Sequence, residues 1–158
     1  CMTENPYTLS PDNTVDDARK AMDERKIRHI PIVNDNSELV GIVSQRDVLA
    51  AEDSSLVNTE QNRLASNRRV ALSAIMTTPV QTAEENADLR ATATRLQRNK
   101  LGCLPVVKNS CLVGIITDSD FVAIAINLME QLEMAEPSEN DDLDSQLDEV
   151  MGLNYDDL

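Results

Sequence analysis

Two runs in this chain set a hydroxyl three residues ahead of a carboxylate at the end of a branched apolar stretch. They are Val40-Gly41-Ile42-Val43-Ser44-Gln45-Arg46-Asp47 and Val113-Gly114-Ile115-Ile116-Thr117-Asp118-Ser119-Asp120. A strand that ends on Ser or Thr and turns into a helix brings the hydroxyl and the first free backbone N–H groups to one point, where the helix dipole favours an anion. A phosphate fits there. The carboxylate three residues on is a poor phosphate contact but a good bidentate acceptor for a ribose diol. The same Ser/Thr-x-x-Asp spacing also makes an ordinary helix N-cap box, worth about 1 kcal/mol. Spacing alone leaves both roles open. Arg46, inside the first run, and Arg28, upstream of it, are likewise either phosphate contacts or solvated surface charge.

Enzyme chemistry has little to work with. The single histidine is His29, no Ser/His/Asp or Cys/His constellation is present, and no Gly-x-x-x-x-Gly-Lys phosphate loop occurs. Cys1, Cys103 and Cys111 form no CxxC pair and none lies near His29 in sequence, so no metal site is expected. An odd cysteine count without a signal peptide points to free thiols in a reducing compartment, which predicts a cytoplasmic location. Cys103 and Cys111 read as small apolar residues in preference to a regulatory thiol pair. No catalytic residue is assigned and no cofactor is required.

The elements that must hold these corners occur twice. Met2-Thr3 is matched by Met76-Thr77, Thr8 by Thr82, and Ile30-Pro31-Ile32-Val33 by Leu104-Pro105-Val106-Val107. Partners stand 74 residues apart early in the unit (Met2 to Met76) and 73 late (Asp47 to Asp120), so one deletion before Leu112 separates the copies. Repetition at this period implies paired supersecondary units that bury their apolar faces on each other. In the first unit Asn13 or Thr14 caps a helix whose stripe is Val15, Ala18, Ala21 and Met22. Strands follow over 28–33 and 39–43, joined by Asn34-Asp35-Asn36-Ser37 as a hairpin turn. In the second unit Asp88 opens the helix, and strands over 104–108 and 112–116 flank a tighter Asn109-Ser110 turn. Pro31 and Pro105 within strands predict edge or bulged positions in a small three-stranded sheet.

The ends differ. Residues 70–75 read as a lead-in helical turn before Met76, whereas only Cys1 precedes Met2, so the natural chain is expected to begin earlier. The organisation read from this is repeat 1 over 1–53, a polar connector over 54–69, repeat 2 over 70–133 and an acidic tail over 134–158. In that tail Leu143, Leu147, Val150 and Met151 stand at helical spacing before Gly152, which predicts a short amphipathic helix docked on its own or a partner chain.

At 158 residues and 41% apolar, the chain suits two intimately packed halves. A net charge of −14 makes it a poor partner for a nucleic-acid duplex, and one Phe, two Tyr and no Trp leave no stacking platform for single strands. The longest apolar stretch, 121–129, is interrupted by Asn127 and is too short to span a membrane. Its continuation to 132 is an apolar stripe longer than one small unit covers, which predicts a homodimer packed through residues 121–132.

The paired Gly-Ile-[Val/Ile]-[Ser/Thr]-x-x-Asp runs, each after an x-[Ile/Leu]-Pro-[Ile/Val]-Val strand, resemble the CBS domain, and residues 1–133 resemble a tandem CBS pair. The resemblance implies an α+β fold of two β-α-β-β-α units in pseudo-twofold arrangement, with an acidic C-terminal helical tail added here. It also implies a cleft between the halves that in many members binds adenosine nucleotides, and no catalytic residues. Carried over residue by residue, one site combines Arg28, His29, Ser44, Arg46 and Asp47 with Pro79, Val80, Gln81 and Thr82. The other combines Gly102, Cys103, Thr117 and Asp120 with Pro6, Tyr7 and Thr8. In the second site Ser119 replaces Arg46 and Asp118 adds a carboxylate, which disfavours a phosphate. The expected ligand is therefore AMP, ADP or ATP at the first site, with the second empty or holding an uncharged nucleoside. A ligand-free dimerisation or adaptor module is the alternative.

Overall fold

Thr14 begins the first helix as its N-cap: its hydroxyl accepts from the Asp17 N–H at 3.2 Å, and Asp17 accepts in return from the Thr14 N–H at 2.8 Å. The helix α1 (Val15–Arg25) puts Val15, Ala18, Ala21 and Met22 into a buried core, as their spacing requires, and ends on Lys26 in the left-handed conformation. The computed structural model describes residues 2–53 and 70–135. Within them follow β2 (His29–Val33), β3 (Leu39–Ser44), α2 (Gln45–Asp53), a 3-10 turn (Leu72–Ala74), α3 (Leu89–Asn99), β5 (Cys103–Lys108), β6 (Cys111–Thr117) and α4 (Asp118–Ala135). Two short strands, β1 (Thr3–Glu4) and β4 (Ala83–Glu84), complete the set. The fold is α+β. The connector, Cys1 and the tail stripe from Leu143 to Gly152 lie outside the described residues.

Each hairpin is antiparallel, β2 on β3 and β5 on β6. Asn109 and Ser110 turn the second with φ of 51° and 68°, the positive values a two-residue hairpin needs. The strand edges are shared between repeats. β1 of the first repeat lies on β6 of the second, with Thr3 opposite Ile115. Conversely Thr77, at the start of the second repeat, exchanges both backbone hydrogen bonds with Ile42 of β3, at 2.9 and 3.2 Å. Methionines seal both crossings: Met76 packs on Gly41 and Met2 on Gly114, where a side chain on either glycine would collide with the methionine sulfur. Leu72, fully buried, carries the lead-in of repeat 2 into the core of repeat 1.

The sheets depart from the three-stranded expectation. One has four strands in the order β1-β6-β5-β4, the other two. Pro105 therefore sits in an interior strand. It is tolerated because β4 pairs only with Val106 and Val107, beyond the proline, and the register slips between those two residues.

The chain divides after Phe121 into two compact units, and the crossings between the repeats belong to the first. In the second unit α4 carries exposed Val122, Ile126, Leu128, Met129, Leu132 and Met134. Among the described residues no helix is long and apolar enough to cross a membrane.

Candidate functional site

Where β3 ends, the Gln45 N–H donates to the Arg28 carbonyl at 2.8 Å, tying the strand-to-helix corner to the residue before His29. Ser44 then caps α2. Its N–H and its hydroxyl both donate to Asp47 Oδ2 at 2.7 Å, and the Asp47 N–H donates back to Ser44 Oγ at 3.2 Å. The N-cap reading of this spacing is thus realised. It does not exhaust the carboxylate, because Oδ1 accepts no hydrogen bond from the described residues. The second corner repeats the plan with weaker closure: Asp118 N–H to the Gly102 carbonyl at 3.2 Å, Thr117 N–H to Asp120 Oδ2 at 2.7 Å and Thr117 hydroxyl at 3.1 Å.

A cavity of about 1190 Å³ opens at the first corner, large against the roughly 300–1,000 Å³ of common small-molecule sites. Both repeats line it. The structure brings together Arg28, His29, Ser44, Arg46 and Asp47 with Pro79, Val80 and Gln81 of the opposite opening segment. Thr82 does not line it. The chain enters β4 there, and the Thr82 carbonyl accepts a hydrogen bond from Arg95 Nη1 at 2.8 Å instead. Of the second predicted group, Gly102 and Cys103 line this same cavity, while Pro6, Tyr7, Thr8, Thr117 and Asp120 do not. Tyr7 is engaged elsewhere, its ring 4.0 Å below the Arg25 guanidinium.

Sequence reasoning missed one wall. Arg90, Thr94 and Gln97 of α3, with Lys100 at its left-handed C-cap, face the cavity. Their spacing of three to four residues is the signal that marks a common helix face. Asp118 of repeat 2 also lines the cavity.

Charge is distributed against the trend of the chain. A protein of net charge −14 lines this cleft with Arg28, Arg46, Arg90 and Lys100 against two carboxylates, Asp47 and Asp118. Among the described residues none of those four cations is in an ion pair, whereas Arg19, Lys20 and Lys108 are. Like charges converging in a concave wall focus a positive potential and attract anions. His29 is half-buried against Gly102, and burial pushes its imidazole below the ordinary value of 6.5 despite the opposing field of Asp118. It is neutral at pH 7, able to donate or accept a hydrogen bond. Burial pushes the Cys103 thiol up to about 12, so it supplies no thiolate nucleophile.

The family profile described as CBS domain matches residues 1–54 and 72–127. A CBS domain-containing protein of Dictyostelium discoideum is 30% identical over 131 residues, 82% of this chain and 90% of its own length. Among solved structures, one described as a proposed acetoin utilization protein (AcuB) from Vibrio cholerae is 47% identical, with a TM-score of 0.72 over 86% of this chain and 94% of its own. CBSX2, solved in complex with AMP, is 30% identical, with a TM-score of 0.68 over 81% of this chain and 94% of its own.

Proposed function

The chain belongs to the CBS domain family, and on that premise we propose that it is a non-enzymatic regulatory module sensing an adenosine nucleotide of the AMP, ADP or ATP class between its two repeats. The observation that carries the reading is the concave meeting of the Ser44–Asp47 corner with cations that have no acidic partner among the described residues. The phosphate lies at the Ser44 corner, against Arg28 and Arg46 at the first turn of α2, and the ribose diol binds Asp47 Oδ1. His29 and the segment Pro79, Val80, Gln81 enclose the nucleoside. The AMP complex of CBSX2, a relative of similar fold, supports an adenosine ligand. Because the ligand touches both repeats, binding favours one relative arrangement of them, and that population shift is the signal.

The second group, Pro6, Tyr7, Thr8, Cys103, Thr117 and Asp120, is the weaker site, empty or holding an uncharged nucleoside. Two copies of the chain pair through residues 121–132, a reading supported by the exposed Val122, Ile126, Leu128 and Met129. A cytoplasmic location fits the free thiols of Cys103 and Cys111.

Calorimetry tests the reading. AMP or ATP binds the wild type and loses affinity in Arg46→Ala and Asp47→Ala; unchanged affinity in both removes the site. Thermal denaturation separates this reading from a ligand-free dimerisation module, because a nucleotide at a hundredfold its Kd stabilises by about 2.7 kcal/mol, whereas a ligand-free module shows no shift.

A further inference from the structure

We infer that α3 reads the length of the phosphate chain, with Arg90 as the specificity-determining residue, so that the ligand is a nucleoside di- or triphosphate in preference to a monophosphate. This rests on the nucleotide reading of the cleft and adds to it a wall that the Ser44–Asp47 corner does not use.

A single phosphate is already matched at the corner by Arg28 and Arg46. Two further cations, Arg90 and Lys100, line the same cavity from α3 and its C-cap, and neither has an acidic partner among the described residues. Cations gathered in one concave site repel unless an anion of matching charge lies among them. A monophosphate leaves the α3 wall unanswered. A di- or triphosphate spans it.

The two repeats supply an internal control, since they share one fold but not one charge pattern. Position by position, Arg28 corresponds to Gly102, Arg46 to Ser119 and Arg90 to Asp16. Asp16 is buried and holds Arg19 and Lys20 at 2.9 Å each, so a cation at this point of the helix is no requirement of the fold. Lys100 corresponds to Lys26, and both occupy the same left-handed C-cap. Its presence is shared by the repeats; that of Arg90 is not.

The test is calorimetry of AMP, ADP and ATP on wild type, on Arg90→Gln, and on Arg98→Gln, an exposed change on α3 away from the cleft. In the wild type ADP and ATP bind at least about tenfold tighter than AMP, equivalent to about 1.4 kcal/mol. Arg90→Gln closes that gap while moving AMP affinity by less than about twofold, and Arg98→Gln changes none of the three. AMP binding as tightly as ATP, or Arg90→Gln weakening all three equally, overturns the inference and leaves the nucleotide site standing. Failure of every nucleotide to bind overturns both.

Discussion

Oδ2 of Asp47 accepts both the amide and the hydroxyl of Ser44, each at 2.7 Å. One carboxylate oxygen thereby closes the first turn of α2, while the residue also lines the cleft. Asp47→Ala removes a cap and a ligand acceptor together; Asp120→Ala removes a cap at a residue that does not line the cleft. Both variants lose about 1 kcal/mol in urea denaturation, but only Asp47→Ala loses the stabilisation by nucleotide. Equal retention of that stabilisation in the two variants contradicts a ribose role for Asp47.

His29, the one histidine, reports on the cleft by its titration. Its folded-state value is depressed, first by burial and then by Arg28, with Asp118 and Asp47 opposing. Below the ordinary value of 6.5 the unfolded chain binds a proton that the folded chain refuses. Stability is therefore full above that pH and falls as the pH drops, with a slope no steeper than about 1.4 kcal/mol per unit for one proton. His29→Gln abolishes this limb. Asp16 and Asp17, both held below the ordinary 3.8 by hydrogen bonds, act in a separate window at lower pH. NMR of the single imidazole reads the same event, and a ring titrating at or above 6.5 contradicts the prediction.

Much of the fold is legible because local chemistry dictates it. The caps at Thr14 and Asp88, the Asn109-Ser110 turn and the stripe of α1 follow from residue type and spacing. The repeat also marks Ser44 and Asp47. What the sequence hides is non-local. The pairing of Thr3 with Ile115 and of Thr77 with Ile42 joins segments more than thirty residues apart, and β4 is too short to show a strand pattern. The α3 wall was missed because Thr92 and Leu96 give only a narrow buried stripe, leaving the direction of Arg90 and Thr94 open. The helix α4 begins at Asp118, ahead of its apolar stretch, because Thr117 and Asp120 cap it.

Gly102 is held small by its neighbour. A Cβ there lies 2.7 Å from His29 Cε1, and the glycine needs no positive φ. Gly102→Ala consequently displaces the imidazole and costs about 1–3 kcal/mol. Adding His29→Ala to the same chain returns much of that loss. Identical urea midpoints for Gly102→Ala and wild type contradict a packed ring.

A crystal structure of the complex with ADP bears most directly on the central claim. The account predicts the ribose on Asp47, the first phosphate against Ser44 and Arg46, and no comparable density beside Asp120. Nucleotide seated beside Asp120, with the Ser44–Asp47 corner vacant, contradicts it.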